Sequence, residues 1–264
     1  MDKELLKKII GNPKFIPGIY NYCDRWCKRC SFTSRCANYA LSEEQFTDLE
    51  SHDINSKVFW QNMNTISELT LEILREIAGQ EGIDLDTFAF KIEPVKKSSW
   101  KEMAENHECS RAARVYGDMT ENWFTSAEES FIEKENELNL KMHLEVPDTN
   151  PVAEMNSLND IIEVIHWYQH QIYVKIVRAI RGDMEERPEV PDGFPRDSDG
   201  SAKVALIGID RSIAAWGKMW EHFPERKDDT LDLLVHLDRL RRKIEQVFPS
   251  ARVFVRPGFD ETNP

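Results

Sequence analysis

The hydrophobic residues of this chain recur mostly with helical spacing, and this pattern predicts an all-α protein. In residues 56–78 the apolar side chains return every three or four positions, which places them on one face of a helix. These are Val58, Phe59, Met63, Ile66, Leu69, Ile73 and Ile77. Similar patterns predict further helices over about 99–118, from Ser126 onward, and over 158–182, 201–222 and 228–247. Residues 126–129 and 157–160 resemble capping boxes, which begin helices.

Two stretches depart from helical spacing. Residues 183–201 contain three prolines and many charges, so we expect an exposed connection there. Residues 251–255 form the only strand-like run, which is too isolated to build a sheet. The pattern therefore predicts a helical bundle of about five to seven helices over residues 41–264. A segment of different character, residues 1–40, precedes it.

Charge sets the first 40 residues apart from the rest. The chain has 264 residues and a net charge of -13, which argues against general binding to nucleic acid or anionic membranes. Residues 1–40 nevertheless carry eight Lys and Arg residues against three Asp and Glu residues. No apolar stretch reaches the roughly 20 residues of a membrane span, and the N-terminus lacks a signal-peptide core. We expect a soluble cytoplasmic protein that binds neither nucleic acid nor membrane.

Four of the five cysteines lie close together in this basic segment. They are Cys23, Cys27, Cys30 and Cys36, with the spacing C-x3-C-x2-C-x5-C. In a reducing compartment such clustered thiols indicate a metal site rather than disulfides. Zinc sites of four cysteines usually use two C-x2-C pairs a dozen or more residues apart, whereas this loop has one such pair. The spacing predicts a 4Fe–4S cluster as the cofactor, with zinc as the alternative, held in an N-terminal metal-binding loop. The neighbouring cations would offset the charge of the thiolates.

Parts of the cysteine spacing resemble two known families. The last three cysteines, C-x2-C-x5-C, are similar to the end of the cluster loop in DNA glycosylases of the endonuclease III type. Those loops begin with C-x6-C, whereas this one begins with C-x3-C. The first three cysteines resemble the radical-SAM motif, but Arg29 stands where that family has an aromatic residue. The radical-SAM barrel also needs alternating strands and helices, which this chain lacks.

A second candidate metal site lies in the predicted bundle. Glu163, His166 and His170 share one face of a helix, and Asp229, Asp232 and His236 repeat the spacing on the last helix. The candidate ligands are Glu163, His166, His170, Asp232 and His236. This arrangement is similar to the Glu-x-x-His unit of di-iron bundle proteins and would suit iron or manganese. If the last three helices run up, down and up, both sets lie at one end of the bundle. The alternative is a set of helix-start acids beside packed histidines, with no metal.

These features lead to three functional hypotheses. The first is a redox or electron-transfer protein with an iron–sulfur cluster and a redox partner protein. The alternative is a non-enzymatic helical interaction protein in which the cysteines bind structural zinc or a structural cluster. The third is a metal-dependent hydrolase or oxygenase that uses the histidines and carboxylates of the bundle. The sequence has no Gly-rich phosphate loop, nucleophile elbow or zinc-protease motif, so it names no reaction. It indicates neither a substrate nor an oligomeric state.

Overall fold

A computed structural model shows an all-α protein, as the sequence predicts. It describes residues 2–46, 48, 53, 55–83, 94–185 and 196–261. In that part of the chain there are nine α-helices and no strand. The helices are α1 (Lys3–Ile10), α2 (Ala37–Gln45), α3 (Lys57–Gln80), α4 (Pro94–Asn106), α5 (Glu108–Ser126), α6 (Glu128–His143), α7 (Pro151–Glu185), α8 (Asp197–His222) and α9 (Lys227–Val247). None of the helices described here has the length and apolar character that a membrane crossing requires.

The chain divides into two compact units. One consists of Met1–Ser98 together with Val255–Pro264, and the other of Ser99–Phe254. The first unit contains the predicted cysteine segment, residues 1–40, and extends well beyond it. The second unit contains the long helices of the bundle.

In the first unit, α1 packs against both α2 and α3. The Asp2 side chain accepts a hydrogen bond from the Leu5 amide at 2.8 Å and so caps the start of α1. Leu6 turns inward and is only 1% exposed. Lys7 pairs with Glu76 of α3 at 2.7 Å, and Lys3 pairs with the same carboxylate. Between α1 and α2 the chain forms three short 3₁₀ turns, and the clustered cysteines lie within or close to these turns.

The second unit is a four-helix bundle with additional helices around it. Helix α5 packs against α7 and α9, and α8 packs against the same two helices, so α5 and α8 lie on one diagonal. Across this diagonal, Trp216 Nε1 donates a hydrogen bond to Tyr116 Oη at 3.1 Å. Helices α7 and α8 approach closely at Gly208, where an added Cβ would lie 2.9 Å from the Tyr168 ring. The core of this unit is therefore aromatic and tightly packed.

Several local predictions are wrong at the ends of elements. His107 divides the helix expected over 99–118, because its ring accepts a hydrogen bond from the Cys109 amide at 3.2 Å and caps a new helix. Ser126 ends α5 instead of capping the next helix, and its hydroxyl donates to the Trp123 carbonyl. The strand-like run at 251–255 contains a 3₁₀ turn, Ala251–Val253, because its backbone bonds are local.

Candidate functional site

Two similar 3₁₀ turns position the second half of the cysteine loop. The first turn, Cys27–Arg29, ends at Cys30, and the second, Thr33–Arg35, ends at Cys36. Each of these two cysteines donates its backbone N–H to the start of its own turn at 3.2 Å. Cys36 also immediately precedes α2. Short turns thus place cysteines at C-x2-C and C-x5-C spacing without a strand or a long helix.

A tight reversal joins Cys23 to Cys27. Asp24 accepts a hydrogen bond from the Trp26 amide at 3.1 Å, and Cys27 donates its N–H to the Arg25 carbonyl at 3.0 Å. Arg25 has a φ of 60°, in the left-handed region that residues other than glycine rarely occupy. This reversal turns Cys23 and Cys27 toward the same cavity.

All four clustered cysteines line one cavity. It holds about 320 Å³ of space between atoms, part of which is open to solvent. The four thiols are free and half-buried. Aromatic side chains form much of the remaining wall: Tyr20, Trp26, Phe32, Tyr39 and Phe259. The structure therefore gathers the four predicted ligands around a common space and shields them from bulk water on several sides.

The thiols influence one another's protonation. Burial raises the pKa of Cys27, and the charges of Cys23, Cys30 and Cys36 raise it further, whereas the nearby Arg25 lowers it. The pKa of Cys30 is also raised, mainly by burial. The Phe32 amide opposes that rise because it donates to Cys30 Sγ at 3.4 Å. These interactions require the four sulfur atoms to lie within electrostatic range of one another.

The four thiols are not arranged around the position of a single metal ion. Among the described residues, no three or more His, Cys, Asp or Glu side chains are arranged to hold one metal ion. Four thiolates on a single zinc would lie about 3.8 Å apart, as follows from a Zn–S bond of about 2.3 Å and tetrahedral angles. A cubane instead receives each thiolate at a different corner, so its ligands surround a volume. Four soft thiol donors around one cavity fit such a group in kind and number.

Exposed cations are interspersed among the cysteines of this loop. Arg25, Lys28, Arg29 and Arg35 are all exposed. The guanidinium of Arg29 lies 4.3 Å from the centre of the Trp26 ring, and that ring is itself buried. Their combined charge is positive, opposite in sign to that of a cluster held by four thiolates.

The end of the chain forms one wall of the cavity, which the sequence alone does not reveal. The Phe259 ring meets the Phe32 ring edge to face at 5.0 Å between centroids. Gly258 has a φ of 74°, and an added Cβ would lie 2.8 Å from Ile16 and 3.0 Å from Ile19. Arg256 holds Asp260 through its backbone and side-chain nitrogens at 2.9–3.0 Å. The only sequence signal for this contact is the Pro257–Gly258 turn pair.

Three comparisons of the chain found no match. Models of protein families, curated proteins and solved structures all fail to match it.

The predicted bundle site does not assemble. Glu163, His166, His170 and Asp232 are exposed and His236 is half-buried, and together they form no metal-holding group among the described residues. His166 stacks on the Phe124 ring of α5, with centroids 4.4 Å apart. His170 approaches Gly117 of α5.

Helix α5 explains why the two halves of that predicted site stay apart. His236 of α9 hydrogen-bonds to the carbonyl oxygen of Ala112 in α5, at 2.8 Å from its Nε2. His166 and His170 therefore contact α5 from α7, whereas His236 contacts α5 from α9. The expected common direction of α7 and α9 does not bring their faces together, because they occupy opposite corners of the bundle.

Cys109, the fifth cysteine, is buried in the second unit. It is 1% exposed in α5, and burial raises the pKa of its thiol to about 11. A neutral, buried thiol acts as a small hydrophobic side chain. It therefore provides a control for experiments on the other four cysteines.

Proposed function

We propose that residues 23–36 bind a 4Fe–4S cluster through Cys23, Cys27, Cys30 and Cys36, and that the protein transfers electrons. The observation that carries this proposal is the lining of one cavity by four free, half-buried thiols. When bound, such a cluster accepts and releases single electrons. The half-burial of its ligands would keep the cluster close to the protein surface, within reach of a partner.

The protonation of the loop gives metal binding a definite pH dependence. The raised pKa values of Cys27 and Cys30 mean that both sulfurs hold protons near neutral pH. Metal ligation needs thiolates, so binding must release these protons. Affinity should therefore increase as the pH rises toward the pKa values of the two thiols.

The exposed cations support a redox partner of opposite charge. Arg25, Lys28 and Arg35 would offset the negative charge of the ligated cluster. They would also attract an acidic protein to this surface, although the chain as a whole carries -13. We therefore propose an acidic redox partner that docks beside the cysteine cavity. A thiolate-bound cluster also favours a reducing compartment such as the cytoplasm.

A structural staple is the second candidate function. The loop consists of short 3₁₀ turns, and within residues 11–36 only Ile19 and Trp26 are buried apolar side chains. Such a loop gains much of its stability from a bound metal, whether zinc or a cluster. In this case the protein would be a helical interaction protein whose metal performs no chemistry.

Anaerobic purification followed by metal and sulfide analysis separates these functions. We expect a brown protein with about four irons and about four acid-labile sulfides per chain. Cys27→Ser should lower both values, whereas Cys109→Ser should leave them unchanged because Cys109 lies outside the cavity. A colourless protein with one zinc, or equal losses in the two variants, would contradict the cluster.

Electron transfer at the basic surface is tested with small oxidants of opposite charge. The protein is first reduced with dithionite. The anion ferricyanide should then oxidise it faster than the cation hexaammineruthenium(III) does, once each rate is divided by the rate of the same oxidant with a neutral model complex. Lys28→Glu should slow ferricyanide several-fold at low salt, and the difference should vanish at about 0.5 M salt because the charges are screened. Lys218→Glu, at an exposed position of α8, is the matched control. A cluster that does not cycle, or an equal effect of both variants, would favour the structural staple.

A further inference from the structure

A second, larger cavity lies beside the cysteine cavity in the first unit. Residues of α1, α2, α3 and the connection over residues 11–18 line it, and it holds about 1340 Å³ of space between atoms, part of it open to solvent. Its apolar wall includes Leu6, Ile10, Phe15, Ile16 and Leu41. Cavities that bind small molecules have this character, with apolar walls and a few polar groups.

The wall of this cavity selects against charged ligands. Among the described residues that line it, none is Asp, Glu, Lys, Arg or His. Its polar groups are the amides of Asn12 and Asn38, the hydroxyl of Thr70 and Tyr20. Asn12 already accepts a hydrogen bond from the Lys14 amide, which leaves its NH₂ group to donate. A carboxylate or phosphate would lose its hydration here without gaining a cation. A neutral molecule with an oxygen acceptor has no charge to desolvate, so it would avoid this cost.

The two cavities share one lining residue, and other residues of the second cavity are neighbours of the cysteines along the chain. Tyr20 lines both. Cys23 Sγ donates to the Tyr20 carbonyl at 3.5 Å. Tyr20 therefore contacts one of the four cysteines proposed to bind the cluster. On the other side, Ala37 and Leu41 line the second cavity, and Ala37 directly follows Cys36. A molecule in the second cavity would therefore contact the residues that hold two of the four cysteines.

We propose that this cavity binds an uncharged, largely apolar small molecule that carries a hydrogen-bonding oxygen, and that its occupancy alters the cysteine site. The binding step stands on the cavity alone. The effect on the cysteine site rests on the proposed function. No redox change of the bound molecule is part of the proposal.

Fluorescence of N-phenyl-1-naphthylamine, a neutral probe that brightens in apolar surroundings, tests the binding step on the full chain. We expect saturable binding that decanol displaces and that decanoate displaces at least tenfold less well. Ala37→Phe should weaken probe binding at least tenfold by filling the cavity. Ala40→Phe, in the same helix but outside the lining, should change it less than twofold.

A variant that gains affinity for a charged ligand keeps the test independent of folding defects, because a misfolded protein would lose binding instead of changing its selectivity. Ile10 lines the cavity and is 53% exposed, so Ile10→Lys can add a cation without burying it. This variant should bring decanoate to at least the potency of decanol. Absence of saturable binding, equal effects of the two Ala→Phe variants, or unchanged selectivity in Ile10→Lys would overturn the proposal. So would probe binding that appears only in a self-associated form of the chain, as judged by sedimentation.

The effect on the cysteine site has a separate readout. Adding decanol should change the electron paramagnetic resonance spectrum of the dithionite-reduced protein, and Ala37→Phe should abolish this change. A zinc protein that still binds the probe would disprove the proposed function while leaving the cavity proposal intact. If the cluster spectrum does not change at a saturating concentration of decanol, the proposed effect of the second cavity on the cysteine site is overturned.

Discussion

Substitution of Gly258 tests whether the end of the chain covers the cysteine cavity. Gly258 has a φ of 74°, and an added Cβ would lie 2.8 Å from Ile16 and 3.0 Å from Ile19. Gly258→Ala therefore incurs about 1–2 kcal/mol for left-handed backbone. Displacement of the two isoleucine ends adds about 1.5 kcal/mol, near the lower end of the range for overpacking. Gly82 is a matched control because it has a φ of 70° and no atom of the described residues within 4 Å of an added Cβ.

The assay is the rate at which bound metal passes to an excess of a chromogenic chelator. Gly82→Ala carries a similar backbone cost at a position outside the cavity lining, so it controls for a general loss of stability. The packing cost at Gly258 alone, about 1.5 kcal/mol, corresponds to about a tenfold larger population with the wall displaced. We expect Gly258→Ala to release metal at least about tenfold faster than Gly82→Ala. Equal release rates would refute the idea that this segment protects the site.

Three further predictions concern the second unit. Gly208→Ala should destabilise it by about 2 kcal/mol in urea unfolding, because the added methyl meets a tyrosine ring at 2.9 Å. Gly217→Ala, on the same helix and with no described residue within 4 Å of an added Cβ, should stabilise the unit by about 0.5–1 kcal/mol. The same sign of change in both variants would be inconsistent with the packing. The pKa of about 11 for Cys109 means that the folded chain keeps a proton that the unfolded chain loses above about pH 9. Stability should therefore fall between pH 9 and pH 11, and Cys109→Ala should remove about 2–3 kcal/mol of that fall, as pH-dependent thermal melts would reveal. Arg226→Ala should cost about 2 kcal/mol in urea, because its guanidinium bonds the end of α5 at 2.8 Å and 2.5 Å, whereas the more exposed Arg242→Ala should change stability little.

Helical periodicity predicts where the long helices lie but not where they begin. The helix expected from residue 158 begins at Pro151, where Asn150 accepts a hydrogen bond from the Ala153 amide at 3.0 Å. Proline suits the first turn of a helix because its missing N–H has no partner there. The apolar pattern starts only at Leu158, the first buried residue of α7, so it cannot report the exposed turns before it.

The cysteine cavity and the bundle histidines differ in how much their sequence spacing determines. The cysteines lie within 14 residues, so short turns alone bring them to one cavity. The spacing of Glu163, His166 and His170 places them on a common face but does not say which helix that face meets. In the structure this face meets α5. Helix α5 also forms a hydrogen bond with His236 of α9. Long-range topology, which depends on the packing of all four helices, decides this outcome.

The wall formed by Phe259 lies beyond what local sequence can indicate. More than 200 residues separate it from the cysteines, and its contact with Phe32 depends on the path of the whole chain. The same holds for the second cavity, whose lining combines α1, α2 and Thr70 of α3. Sequence patterns report the faces of single elements, whereas cavities form between elements.

Native mass spectrometry of the anaerobically purified chain tests the central claim most directly. A 4Fe–4S cluster should add about 350 Da to the folded protein, the sum of four irons and four sulfides. Replacing Cys27 with Ser should diminish this species, and replacing Cys109 with Ser should leave it intact. An addition of about 65 Da, the mass of one zinc, or no addition at all would contradict the cluster.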